Sequence, residues 1–304
     1  MIAVLCGGVG AARLLRAMRL RVDDSDLTAI VNVGDDLVLH GLTICPDIDT
    51  ITYTLAGLND DERGWGLKNE TWTAMARLGE LGGESWFSLG DQDLATHLYR
   101  TQRLSEGATK SEVTLEIAHK RGLGLTMLPA SNDPIATLFE TEVGPLSFQE
   151  YFVKHHHGVV TSRVSYAGGT QAEPAPGVLE TLRQAERIVI APSNPILSIQ
   201  PILEMAPIAA ILRERREDVV AVTPLIGGAA LKGPADRLLL ELGHEVSNAG
   251  IARYYAPYAA TLVIDEVDRE TSDAVAVAGM RPVVTTTVMA NPVHAAALVE
   301  AVLA

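Results

Sequence analysis

Four aspartates crowd two short stretches, NVGDD (Asn32–Asp36) and CPDIDT (Cys45–Thr50). Acidic residues ending a second strand, Asp35 and Asp36 here, suit a ribose hydroxyl or a hydrated Mg²⁺; the alternative is a turn with solvated carboxylates. Asp47 and Asp49 are two residues apart. If the segment is extended they face one side, and together they hold one Mg²⁺ or divide metal and base duties between them. Ahead of both stretches, MIAVLCGGVGAARLL runs from an apolar segment into Gly7, Gly8, Val9 and Gly10, with Arg13 a turn later. Glycine lets a backbone turn sharply and approach a phosphate, and a helix start offers free N–H groups. The dinucleotide fingerprint fails, because Arg13 stands where its last glycine belongs, and no lysine–hydroxyl pair makes a P-loop. A cation just inside the helix suits a diphosphate. The competing reading is a tight turn with a surface arginine.

Two more loops follow strand-like runs. APSNPILSIQPI (Ala191–Ile202) places Ser193, Asn194 and Pro195 where a nest for phosphate or ribose would form. TPLIGGAALKGPA (Thr223–Ala235) carries Gly228 and Lys232. WFSLGDQDLATH (Trp86–His97) puts an aromatic pair and Ser88 before Asp91, which reads as the N-cap of the following helix. The aromatics there fit a planar ligand or a core. Two features are declined: His155–His157 has no usual zinc spacing, and Cys6 fits a small buried thiol closing a strand.

Elements must position these residues. Strand-like runs recur at Ile2–Cys6, Leu27–Val33, Leu125–Pro129, Arg187–Pro192, Val219–Pro224, Thr261–Asp265 and Pro282–Thr287, with helical stretches between them. Continuous apolar strands alternating with helices predict an α/β fold, a Rossmann-like, mostly parallel sheet flanked by helices. From about residue 51 to 121 the strand signal fades into a helical insertion after the second strand. The whole of 1–304 is expected to be a single domain.

Hydrophobic residues make up 47% of the 304, enough for a substantial core, and no stretch has the length and apolarity of a membrane span. The net charge of −14 argues against nucleic acid. Two cysteines make no disulfide framework, so a cytoplasmic setting is expected.

GGVGAARLL, NVGDD, CPDIDT, RGWG (Arg63–Gly66), WFSLGDQDLATH, FQEYFV (Phe148–Val153), APSNPILSI and IGGAALKGPA together resemble the 2-phospho-L-lactate transferases of coenzyme F420 biosynthesis. The resemblance implies transfer of a phosphorylated hydroxy acid (2-phospholactate, phosphoenolpyruvate or 3-phosphoglycerate) from a guanosine diphosphate carrier to the deazaflavin Fo, with release of GMP and use of Mg²⁺. It implies a homodimer working between an upstream guanylyltransferase and a downstream glutamate ligase. Asp49 and Ser88 would contact Fo, although serine at 88 replaces the lysine, arginine or glycine of relatives. The expected site combines Asp49 and Asp47 in catalysis and Asp35 and Asp47 at the metal. Substrate would be bound by Gly8, Val9, Gly10, Arg13, Asp36, Asp49, Thr50, Ser88, Asp91, Ser193, Asn194, Pro195, Gly228 and Lys232. Two other classes compete: an NAD(P)-dependent oxidoreductase with Asp35 or Asp36 on the ribose, and a non-catalytic nucleotide-sugar-binding regulator.

Overall fold

The computed structural model describes residues 1–231 and 233–304; Lys232, expected at the substrate, lies outside the described residues. Seven short apolar segments build one sheet: β1 (Ile2–Cys6), β2 (Leu27–Val31), β3 (Thr126–Pro129), β4 (Arg187–Ile190), β5 (Val219–Val222), β6 (Thr261–Asp265) and β7 (Arg281–Thr285). They lie in the order β7–β6–β5–β4–β1–β2–β3. Every neighbouring pair is parallel, with Ile2 opposite both Leu27 and Arg187. All seven expected strands are present. β2, β5 and β6 are buried at every residue, as strands covered on both faces must be.

The chain lays β1, β2 and β3 outward on one side, then returns to place β4 on the other side of β1. The topological switch point is therefore between β1 and β4, and ligands bind beyond the carboxyl ends of strands at such a point. Helix α1 (Gly8–Met18) follows β1 and turns Ala11, Leu14, Leu15 and Met18 to the sheet at helical spacing.

The insertion between β2 and β3 starts earlier than its sequence suggested. A hairpin (Leu37–Leu39 with Leu42–Ile44) leads into α2 (Pro46–Leu55), α3 (Thr73–Glu80), α4 (Asp91–Ser105) and α5 (Lys110–Lys120). Pro46 occupies the first helical turn of α2, where its missing N–H costs nothing, and Asp47 and Asp49 complement the positive end of the helix dipole. CPDIDT is thus a helix start, not an extended strip. Ile44, Met75 and Leu89 form a small separate core with Phe87 packed on it.

A three-stranded antiparallel sheet of Ala136–Thr141, Gly144–Ser147 and Thr161–Ala167 was not expected. In its central strand Thr137 and Phe139 are buried while Leu138 faces out, so hydrophobicity does not alternate with the pleat. Phe139 stacks on Tyr151 at 4.1 Å. After Tyr151 the three histidines make a tight turn, with His156 and His157 at φ +49° and +42°. Among the described residues no single helix is long and apolar enough to cross a membrane.

Candidate active site

Asn32, at the carboxyl end of β2, ties the site together. Its side-chain Nδ2 donates to Asp47 Oδ2 at 2.9 Å, and lies 3.4 Å from Asp35 Oδ1 and 3.3 Å from the Leu197 carbonyl. Its Oδ1 accepts from Gly34 N. The other oxygen of Asp47 accepts from Gly8 N at 2.7 Å. Asp35 and Asp47 are 4% and 7% exposed, and neither has an ion-pair partner among the described residues. Burial pushes the Asp47 carboxyl up to about 6, against the hydrogen bonds from Asn32 and Gly8. Asp35 is held well above the usual carboxylate range by burial and then by the charges of Asp47 and Asp36.

The other two aspartates each have a cation. Lys110 at the start of α5 donates to Asp36 Oδ2 at 2.6 Å. Arg100, fully buried in α4, grips Asp49 with both terminal nitrogens, Nη1 lying 3.0 Å from Oδ2 and Nη2 donating to Oδ1. His97 stands behind them, its Nδ1 3.7 Å from Asp49 and its Nε2 3.2 Å from Asp93, which also accepts from Tyr53 Oη. Here the reading of Asp47 and Asp49 as a same-sided pair is corrected. Positions i and i+2 of a helix point roughly 200° apart. Asp47 therefore meets Asn32 and Gly8 while Asp49 meets Arg100.

The glycine loop does more packing than its sequence suggested. Gly7 N donates to Ser193 Oγ, which in turn donates to Gly7 O, so the loops after β1 and β4 are stitched across the switch point. A Cβ at Gly7 would lie 2.3 Å from Asp47 Oδ2, and one at Gly10 would lie 2.6 Å from the Pro192 carbonyl oxygen. Gly8 adopts φ +73° and its amide is taken by Asp47. Gly7, the N-cap residue of α1, has no side chain to offer, and Asp47 takes only the Gly8 amide, so the amides of Val9 and Gly10 face outward from the first turn. Arg13, one turn on, makes no ion pair among the described residues. Val9, Arg13 and Thr50 line one small cleft together with Tyr53 and Trp65.

A larger cleft of about 320 Å³ opens on the other side of the aspartates. Asp35, Asp36, Trp86, Thr137, Phe148 and Gln149 line it. Asp36 Oδ1 and Thr137 Oγ1 are buried there without a hydrogen-bond partner.

The remaining expected residues separate. Ser193 is occupied by its stitch to Gly7. Asn194 Oδ1 accepts from Ile196 N and Leu197 N, capping the π-helical turn that Pro195 begins. Gly228 sits exposed in a hairpin turn, and the amide of neighbouring Gly227 is taken by Asp268. Ser88 is exposed ahead of α4. Asp91 does not cap its own helix: it accepts from Thr73 N, Ala74 N and Thr71 Oγ1 and so caps α3. Gly90 instead provides the N-cap of α4, where the Glu70 side chain accepts from Gln92 N.

Asn32, Tyr53, Asp93, His97, Arg100 and Lys110 were not singled out from sequence. For α4 the signal was present. Asp93, His97 and Arg100 recur at i, i+4 and i+7, placing ionisable groups on the stripe where apolar residues normally face the core.

No group of three or more His, Cys, Asp or Glu is arranged to hold a metal among the described residues. The donor set nevertheless fits Mg²⁺, which takes one or two carboxylates and completes its shell with water and substrate phosphate. Asp35 and Asp47 are two buried carboxylates with no counter-cation among the described residues, as such an ion requires.

The family model described as "2-phospho-L-lactate transferase CofD" matches residues 2–297. A phosphoenolpyruvate transferase of Streptomyces griseus is 40% identical over 286 residues, covering 92% of this chain and 90% of the relative. One from Nocardia farcinica is 38% identical, with 98% and 92% covered. A 2-phospho-L-lactate transferase of Methanosarcina mazei is 36% identical, with 88% and 87% covered. In fold, the chain is similar to Bacillus halodurans BH3568 of the UPF0052 family, with a TM-score of 0.63 at 17% identity over 100% of this chain and 98% of that one. Sequence identity along nearly the full length, on a sheet whose switch point carries the aspartates, places the chain in the CofD family of 2-phospho-L-lactate transferases.

Proposed function

We propose that this chain transfers a phosphorylated hydroxy acid from its guanosine diphosphate carrier to the deazaflavin Fo in F420 biosynthesis. Family membership supports the transferase class. The observation that carries the site assignment is the carboxylate couple Asp35–Asp47, which has no ion-pair partner among the described residues and sits at the start of α1, where Asp47 accepts from Gly8 N. The diphosphate rests on the Val9 and Gly10 amides with Arg13 alongside. Asp35 and Asp47 would hold Mg²⁺, which when bound neutralises phosphate charge. The larger cleft takes the planar acceptor: Trp86 and Phe148 offer flat apolar faces beside the polar Asp36, Thr137 and Gln149. Asp49, fixed by Arg100, orients the ribityl hydroxyl. That oxygen bonds to the phosphorus bearing the acid, the bond from this phosphorus to the GMP oxygen breaks, and the hydroxyl proton is released. Positioning and charge neutralisation account for most of such catalysis.

The oxidoreductase reading is weakened by Arg13 in place of the fingerprint's last glycine and by Lys110, which already occupies Asp36, one of the two aspartates that a dinucleotide ribose would use. The regulator reading lacks a reason for a large polar-floored cleft. Cytoplasmic location, a homodimer, and supply by a guanylyltransferase with consumption by a glutamate ligase belong to the same proposal. The protein is to be incubated with Fo, Mg²⁺ and each guanylylated acid (phospholactate, phosphoenolpyruvate, 3-phosphoglycerate) in turn. GMP and a modified deazaflavin should form with at least one donor, stop in excess chelator and return with Mg²⁺. Absence of GMP with all three donors, or full activity in chelator, would refute the proposal.

A further inference from the structure

The helical insertion sends two cations into the aspartate cluster, one from each of its last two helices. Arg100 of α4 is 1% exposed, and Lys110 of α5 is nearly as enclosed, its side chain 11% exposed. Both are expensive groups to bury. Stripping water from a guanidinium or an ammonium costs several kcal/mol unless close partners offset it, and an apolar residue would cover the sheet at less cost. Each meets one aspartate at hydrogen-bond distance: Arg100 meets Asp49, and Lys110 meets Asp36. Neither pairs with Asp35 or Asp47. Around Asp36 stand Lys110, Arg100, the buried Cys45 thiol and the carboxylates of Asp35 and Asp47; around Asp49 stand Arg100, His97, Tyr53, Cys45 and, from the cluster, Asp35.

From this division of partners we infer that Arg100 and Lys110 are positioning residues that sort the four aspartates. They satisfy Asp49 and Asp36, leaving Asp35 and Asp47 as the pair with charge to spare for a divalent ion. With a divalent ion bound, Asp35 and Asp47 would supply the two negative charges that one such cation neutralises. The insertion is thus an electrostatic part of the site as well as a cover over it. This inference rests on the metal reading proposed above.

The test is metal binding, independent of turnover. Metal-stripped protein at pH 8 is titrated with Mn²⁺, and free ion is followed by electron paramagnetic resonance. Lys110→Met leaves Asp36 uncompensated, so Mn²⁺ should bind about 15-fold more tightly, the effect of one unit charge on a divalent ion over about 10 Å at an effective permittivity near 40. Adding Asp36→Asn to Lys110→Met should return affinity to within about twofold of the unaltered protein, and Lys110→Arg should match it. A lysine that only braced the fold would loosen the site when removed, never tighten it. Lys110→Gln, neutral but still able to donate, repeats the test should Lys110→Met not fold. Mn²⁺ binding in the unaltered protein with no tightening in the neutral variants would overturn the sorting role alone. Tightening that survives Asp36→Asn would do the same. Failure of the unaltered protein to bind Mn²⁺ would overturn the metal reading, and this inference with it.

Discussion

Gly10 separates two reasons for a glycine at a strand–helix turn. If its purpose is to let phosphate approach, a methyl group there should harm ligand binding and leave the apoprotein intact. The geometry points elsewhere. A Cβ on Gly10 would stand 2.6 Å from the Pro192 carbonyl oxygen. The carbonyl is backbone and the Cβ would be fixed rigidly to backbone, so neither can swing aside, and Ser193 next to Pro192 is hydrogen-bonded to Gly7. The loops after β1 and β4 would have to part by about half an ångström, an overpacking that costs about 1–3 kcal/mol. With a urea m-value of about 3 kcal/mol/M, Gly10→Ala should lower the unfolding midpoint by about 0.3–1 M without ligand. GDP affinity should fall as well, because the parted loops carry the Val9 and Gly10 amides. An unchanged midpoint together with lost GDP binding would refute the packing argument and give the glycine to the ligand.

Asp49→Asn removes a charge from a buried pair and strands Arg100, so the apoprotein should lose about 3–5 kcal/mol of stability. Asp49→Asn with Arg100→Met should recover much of that in thermal unfolding, while transfer to Fo stays slow; equal losses in single and double variants would count against the pair. Asp91→Ala should leave α4 in place and raise amide exchange at Thr73 and Ala74, whose donors it accepts. Its hydrogen bonds hold the Asp91 carboxyl below the ordinary range, so protection of those amides should persist above the unfolded aspartate's pKa and fade as pH falls through the lowered value. Protection independent of pH would dismiss the cap.

The sheet was legible because its strands are continuous apolar runs between helix punctuation; Leu27–Val31 and Thr261–Asp265 have nothing else to be. The insertion was harder. CPDIDT carries a proline and two acids that suit a helix start, but D-x-D also invites reading as an extended metal strip, and only the tertiary partners decide. The sheet containing Ala136–Thr141 was missed because Leu138 points outward and Thr137 inward, against the usual polarity. At the site, residue types were readable and pairings were not. Asp35, Asp36, Asp47 and Asp49 look alike in sequence. What distinguishes them is Asn32, Arg100 and Lys110, two of them more than fifty residues further along the chain. Ser193 and Asn194 lie in the loop after β4, but their side chains serve the loop's own geometry.

The strand order also sets a timetable for the chain's synthesis. β1 leaves the ribosome before the other six strands of its sheet, yet one of its two neighbours, β4, begins at Arg187 opposite Ile2. At roughly 5–20 residues per second that strand follows by about 10–40 s. During the wait, Ile2–Cys6 can pair with Leu27–Val31 on one side only, leaving an apolar edge open to any other extended segment. The stitch between Gly7 and Ser193 cannot form until the same moment. The nascent chain thus holds its glycine loop unfinished until β4 has emerged, and conditions that slow elongation between residues 31 and 187 should favour capture by holdase chaperones or aggregation over productive closure.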